Sequence, residues 1–310
     1  MARTHTRSDV PNPVAPPTVP PPRGRSAYTQ GIIDYYSEAG MDYEPWSRRF
    51  NMHFGYYRWG LNPFNREQML DEMNHQILDR LALDKDAPTT LADLGCGVGA
   101  SARYAIRTLP NTSVIAATIV PWQIKLGEQL SAAPQYQTGL RFRLADYCDT
   151  GLPDSSLDGA YAIESACYDE GKAKHAFLTE AFRILKPGAR LAVADGFTKG
   201  RHHTKLFTSL YRKVCDGWAL QDFAGIDAFT AALEEIGFED IRVEEASWRV
   251  ALSVAYVPWV SLKYFFKSIF RKKSHTTIQQ GHFIAPVYGV LMGLHRRQYG
   301  YYIISARKPE

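Results

Sequence analysis

The sequence predicts an α/β fold in which a mostly parallel sheet carries helices on both faces, and three observations point to it. Residues 89–100, TTLADLGCGVGA, pass from a strand-like apolar run through Asp93 to glycines at 95, 97 and 99. Further short apolar runs at 113–118, 140–145, 159–163 and 185–195 read as strands separated by helical segments and loops. At 310 residues and 45% hydrophobic content, the chain can bury the core of one large domain plus extensions.

The first unit is a strand, a glycine turn and a helix over 101–109. Such a junction presents free N–H groups at the helix start, a site for a carboxylate or phosphate. A dinucleotide fold would show G-x-G-x-x-G, whereas Asp93 to Gly99 reads D-x-G-x-G-x-G. That spacing resembles the cofactor site of class I S-adenosylmethionine-dependent methyltransferases. The resemblance implies a Rossmann-like sheet and S-adenosyl-L-methionine as cofactor. It also implies that Gly95, Gly97 and Gly99 admit the methionine portion while Asp93 helps hold its amine. The triplet alone would equally suit any tight strand-to-helix turn.

A formal net charge of +4 gives no chain-wide basic excess, so a small molecule or a membrane surface is expected as partner rather than nucleic acid. Cys96, Cys148, Cys167 and Cys215 show neither paired nor metal-ligand spacing, which fits reduced thiols in the cytoplasm and no metal. The apolar stretches at 250–262 and 283–294 are shorter than the ~20 residues a span requires. A soluble or membrane-peripheral protein is expected, and a homo-oligomer is compatible with the composition.

Residues 1–27 hold seven prolines and four arginines and read as a disordered tail. Residues 28–64 form an aromatic segment read as a pair of lid helices, and the methyltransferase domain is expected over 65–310. Core packing explains many of the lid aromatics; others are candidates to line a reaction chamber, because aromatic faces attract sulfonium and carbocation charge. The run YYSEAGMDYEPWSRRFNMHFGYY resembles sterol C-methyltransferases in Asp42, Tyr43, Glu44, His53 and Phe54. In Met52, His53, Gly55, Tyr56 and Tyr57 it resembles tocopherol methyltransferases. Residues 65–83 read as a helix capped by Asn65, with Met69, Met73, Ile77 and Leu81 as core.

The strand at 113–118 ends in Thr118, where most class I methyltransferases carry an acid for the ribose; tocopherol methyltransferases and cyclopropane synthases share this departure. Trp122 and Gln123 are candidate flanks of the cofactor, with helix packing as the other role open to Trp122. The strand at 140–145 leads to Asp146 and Tyr147. By resemblance these take the adenine amino group and pack near its ring, at the strand end where such sheets bind ligands.

Residues 152–164, LPDSSLDGAYAIE, end a strand in Glu164, a residue costly to bury without a partner and therefore expected at the cleft. YAIESAC resembles the Y-A-I-E-A-T-C of sterol methyltransferases, which implies an active-site role for Glu164. Asp195, at the end of the following strand, is a second candidate acid or base. His202 and His203, as neighbours on a helix, point apart and read as surface residues.

Helices are expected at 174–184, 204–220, 226–236 and 283–297, with strands at 239–250 and 299–306. Cap elements around 201–235 and 253–297 are expected to form an acceptor pocket, with Tyr211, Trp218 and Phe223 as candidates. In 253–273, Lys263, Lys267 and Arg271 share one helical face opposite aromatic residues. That pattern suits either contact with an anionic membrane or an ordinary packed helix.

These features lead to a C-methyltransferase acting on a lipophilic, isoprenoid-type acceptor. Glu164 or His53 is the expected proton acceptor, and Tyr57 or Tyr168 the expected ring facing the cation. Two rivals remain: methylation of an aromatic, prenylated quinone or indole-type compound, and a catalytically silent cofactor-binding module.

Overall fold

A computed structural model of the chain describes residues 26–84, 86–200, 203–260 and 277–310. Most of the Pro-rich tail, His202 and residues 261–273 of the basic aromatic segment lie outside the described residues. The strands are β1 (Thr89–Leu94), β2 (Thr112–Thr118), β3 (Leu140–Leu144), β4 (Leu157–Ile163), β5 (Leu185–Thr198), β6 (Ala224–Gly225), β7 (Glu239–Glu245) and β8 (Tyr299–Arg307). The helices are α1 (Ala27–Ala39), α2 (Arg66–Asp79), α3 (Ala100–Thr108), α4 (Pro121–Leu130), α5 (Pro134–Gln137), α6 (His175–Ile184), α7 (Lys205–Gly217), α8 (Ile226–Ile236), α9 (Ser247–Val254) and α10 (Thr277–Gly293).

The sheet runs β3-β2-β1-β4-β5-β8-β7, with β6 paired to the end of β5. β1 to β5 are parallel, and β8 is antiparallel to both β5 and β7. Alternation along each strand divides the core between two faces. Leu91, Val114, Tyr161 and Ile303 pack with Ile77 and Leu81 on one side. Leu94, Val193 and Ile304 pack with Phe177, Phe229 and Leu233 on the other. Every parallel strand therefore ends at the same edge, where Asp93, Thr118, Asp146, Glu164 and Asp195 gather.

Two expectations are corrected here. The lid is one helix, α1, then a single 3-10 turn at Gly40–Tyr43 and an irregular chain up to α2, not a helix pair. Tertiary bonds shape that chain: Trp46 Nε1 donates to the His53 carbonyl (3.1 Å), and the Tyr56 and Tyr57 N–H groups donate to the carbonyls of Met69 and Arg249. The strand expected over 239–250 stops at Glu245. Ser247, Val250 and Ser253 then bury one face of α9 at helical spacing, and Ser247 Oγ accepts from the Tyr301 N–H at 2.8 Å. α2 does begin at Asn65, whose side chain accepts from the Gln68 N–H.

Candidate active site

The strand edge opens into two adjoining cavities of about 330 Å³ and about 150 Å³. The larger lies over the β1 turn and is covered by Tyr28, Thr29, Ile32 and Tyr36 of α1. The smaller is walled by aromatic residues, together with Val257, Val260 and Pro286. Tyr36, Met52, His53, Glu164 and Tyr168 line both, so a group passing between the cavities crosses them.

In the larger cavity the backbone comes within reach of a ligand because Gly95 and Gly97 adopt φ of +83° and +53°. A Cβ on Gly95 would strike Ser165, and one on Gly97 would approach the Met52 sulfur at 2.9 Å. Gly99 departs from its expected role. It does not line the cavity, and a Cβ there would meet the Phe142 ring at 2.6 Å, so this glycine serves packing at the start of α3. Asp93 is buried at the cavity, and burial pushes its carboxyl up to about 7. Among the described residues its Oδ2 closes no hydrogen bond, the buried Tyr161 hydroxyl standing beside the carboxyl, and it can accept from an ammonium group.

Across this cavity Thr118 Oγ1 donates to Gln123 Oε1 at 2.6 Å and accepts from the Val120 N–H, leaving the Gln123 amide nitrogen as a donor. Asp146 Oδ1 accepts from the Cys148 N–H, and the Tyr147 hydroxyl donates to the Ser165 carbonyl; all four residues line the cavity. Trp122 does not. It packs against Gly40 after α1, with its indole N–H buried and unpaired, and so follows the helix-packing alternative. Together the glycine turn, the buried carboxylate and the polar Thr118–Gln123 pair fit S-adenosylmethionine. When bound, that cofactor supplies an activated methyl.

Glu164 sits where the cavities meet. It is a non-glycine residue at φ +52°, a sparsely populated conformation that turns the chain immediately after β4. Its Oε1 accepts from the Phe54 N–H at 2.6 Å and from the Tyr301 hydroxyl at 2.8 Å, while Oε2 takes no hydrogen bond. Burial pushes this carboxyl up to about 8, against those two donors, and the charge of Asp195 adds to the rise. Asp195 is itself raised to about 6 by burial, although its oxygens accept from the N–H groups of Gly196 and Cys167.

His53 lines both cavities, but its ring is occupied. Nδ1 is 2.9 Å from the Phe54 carbonyl, Nε2 is 3.2 Å from the Asn51 side chain, and burial lowers its pKa to about 4. Of the two residues, only Glu164 keeps an oxygen, Oε2, that takes no hydrogen bond from the described residues. Tyr57, a candidate ring in the sequence, lies outside both cavities, beside Trp59. Its place is taken by Tyr36 and Tyr168, whose hydroxyls join at 3.0 Å, the latter donating on to the Trp218 carbonyl. Trp218 and Phe223 line the smaller cavity, whereas Tyr211 turns away to Asp222.

Three contributors were not singled out as site residues from the sequence. Tyr299 and Tyr301 reach the smaller cavity from β8. Lys174 is completely buried, and its ammonium donates to the carbonyls of Cys167 (2.9 Å), Asp169 (2.6 Å) and Asp222 (2.8 Å). Those bonds join the loop after β4 to the segment between α7 and α8.

A parallel sheet closed by an antiparallel β8, with a glycine cradle at the end of β1, defines the class I methyltransferase fold. A family model described as a methyltransferase domain matches residues 92–193. A probable chloroplastic tocopherol O-methyltransferase of Oryza sativa subsp. japonica is 25% identical, covering 91% of this chain and 78% of its own length. The 2-methyl-6-phytyl-1,4-hydroquinone methyltransferase of Synechocystis sp. is 29% identical over 75% of this chain and 70% of its own. Among solved structures, the cyclopropane synthase MmaA2 of Mycobacterium tuberculosis superposes with a TM-score of 0.76 at 15% identity, covering 91% of this chain and 99% of that one. Geranyl diphosphate C-methyltransferase of Streptomyces coelicolor gives 0.69 at 16%, with 91% and 98% covered. At those identities the structures speak to the fold. The chain carries a methyltransferase domain over residues 92–193, and that domain together with the methyltransferase relatives indicates an S-adenosylmethionine-dependent methyltransferase.

Proposed function

We propose that this methyltransferase acts on a carbon of a lipophilic, isoprenoid-type acceptor held in the smaller cavity. One observation carries the reading: a donor seated over Gly95 and Gly97 and an acceptor among the aromatic residues share the wall formed by Glu164, Tyr36, Tyr168, Met52 and His53. A double bond attacking an activated methyl acquires positive charge, which the tyrosine rings attract, and Glu164 Oε2 takes the proton that restores neutrality. The chain holds the partners in line and excludes water, α1 covering the donor side. The prenylated substrates in the names of the plant and cyanobacterial relatives support an isoprenoid acceptor.

Those same relatives support a second reading, methylation of the aromatic head group of a prenylated hydroquinone, with Glu164 taking the phenolic or ring proton. Purified protein incubated with methyl-labelled S-adenosylmethionine and a panel of isoprenoids, sterols and prenylated hydroquinones decides between them. Label on an aliphatic carbon is expected. Label on a ring or heteroatom establishes the second reading, and label on none of these acceptors overturns both.

A further inference from the structure

α10 presents to solvent a row of apolar side chains that its packing leaves uncovered. Ile284, Val287 and Leu291 follow spacings of three and four, so they share one face, and Leu294 follows in the turn just past the helix; Ile284 is 50% and Leu294 72% exposed. The opposite face buries Ala285 and Met292 and approaches α7 closely where Gly217 meets Gly281. Beyond the helix, the Arg296 guanidinium lies 5.2 Å from the Trp248 ring centroid. Trp248 is 79% exposed, and Leu252 is exposed one turn further along α9. α9 and α10 thus each expose apolar side chains, linked through Arg296 and Trp248, on elements that also adjoin the acceptor cavity. Pro286 of α10 lines that cavity from within, as do Val257 and Val260 just after α9. Val290 packs against the same Val257 cluster, which seals the two elements together.

The segment of sequence that carries this face is basic. Between Ala246 and Pro309 the sequence contains no Asp or Glu and ten Lys or Arg. Among the described residues Arg249 follows the exposed Trp248 in sequence, and Arg296 and Arg297 follow the exposed Leu294 closely. Glu245 of β7 pairs with Arg296 but is shared with Lys199, so the segment stays cationic. An exposed tryptophan and a leucine-rich helical face flanked by arginines match the boundary of an anionic bilayer. A second copy of the chain would instead set these arginines against their own kind.

We propose that the α9–α10 face docks on anionic lipid, bringing the membrane against the outer wall of the acceptor cavity. The entry of a lipid acceptor past Val257, Val260 and Pro286 rests on the function proposed above; the docking itself does not. The test is co-sedimentation of the full chain, without cofactor or acceptor, with vesicles of phosphatidylcholine alone or mixed with phosphatidylglycerol. Wild type is expected to partition about tenfold more strongly onto the mixed vesicles and to be released by high salt. The double variant Leu291→Glu/Leu294→Glu should lose roughly tenfold in binding while keeping its circular dichroism and S-adenosylmethionine affinity. Wild type that stays in solution with the anionic vesicles overturns the proposal, as does a double variant that partitions like wild type. A wild-type dimer by light scattering that the variant dissolves also overturns it, and assigns the face to self-association. Vesicle binding by an enzyme that methylates only a polar acceptor would leave the docking standing and remove the proposed function.

Discussion

The Phe54 backbone N–H donates 2.6 Å to Glu164 Oε1, joining the irregular chain after α1 to the end of β4 across 110 residues of sequence. The Tyr301 hydroxyl donates to the same oxygen. One carboxylate oxygen is thus spent on holding the cavity wall in place, and the other is left for chemistry. Glu164→Gln separates these functions, because the amide oxygen still accepts both bonds while the base is gone. Turnover should fall by about 10²–10⁴-fold, with S-adenosylmethionine affinity within about threefold of wild type by calorimetry. A glutamine variant with wild-type turnover removes Glu164 as the proton acceptor.

The same carboxyl sets a pH dependence. With its folded pKa raised to about 8, Glu164 is protonated below that value and becomes a base above it. The pH profile of kcat/KM should therefore rise towards pH 8, and Glu164→Gln should flatten it. Stability should move the other way. A carboxyl whose folded pKa exceeds its unfolded one stabilises fully below the unfolded value of 4.5 and loses that contribution as pH climbs through about 8. Asp93, at about 7, and Asp195, at about 6, add to the trend. The apo protein should thus melt at a lower temperature at pH 9 than at pH 5.5 on account of these groups. A melting temperature that rises over that interval contradicts the burial of the three carboxyls.

Asp93→Asn tests the cradle. Its Oδ2 is buried beside the glycine turn, and the charge of that carboxylate is what a cationic amine would meet. S-adenosylmethionine binding should weaken by at least about tenfold. In wild type, affinity should increase with pH through about 7 as Asp93 ionises. Unchanged affinity in the asparagine variant would place the amine elsewhere.

Tyr168 supplies both a ring and a hydroxyl, which two substitutions tell apart. Tyr168→Phe keeps the ring but breaks the links to Tyr36 and to the Trp218 carbonyl, so it should raise the acceptor KM by about three- to tenfold with little change in kcat. Tyr168→Leu also removes the aromatic face and should lower kcat by about tenfold more. Equal kcat in the two variants argues against a cation at this ring and towards methylation of an aromatic head group.

The cradle was legible because its parts are local. A strand, an aspartate and alternate glycines fall within the eleven residues Thr89 to Gly99, and Thr118, Asp146 and Glu164 lie at or just past the ends of parallel strands, where topology delivers them to one edge. Spacing did not reveal which glycines face the ligand. Gly99 shares the left-handed backbone of Gly95 and Gly97, yet the Phe142 ring occupies the space beside it. Tyr57 is misplaced and Trp122 left between two roles for a related reason: an aromatic residue in irregular chain, or on a half-buried helix, carries no period that says which way it points. Tyr299 and Tyr301 were invisible because they meet Glu164 only through β8, an antiparallel strand inserted from the far end of the chain.

Lys174 left no signal at all, since its partners are backbone carbonyls, and it supports the last expectation. Its ammonium holds Asp169, which lines the larger cavity, and Cys167, which lines the smaller one, to Asp222, next to Phe223 of the smaller cavity, and burial lowers its pKa without removing the three bonds. Lys174→Met fits the aliphatic path but leaves three carbonyls without donors, at a cost of about 1–3 kcal/mol each where water cannot reach them. The melting temperature should fall sharply. Two of the three carbonyls, those of Cys167 and Asp222, belong to or adjoin the wall of the smaller cavity, so the loop should loosen on its acceptor side first. At a temperature where the variant stays folded, its acceptor KM should therefore rise more than its S-adenosylmethionine KM. Equal increases in the two would mean that Lys174 stabilises the whole domain without positioning the acceptor wall.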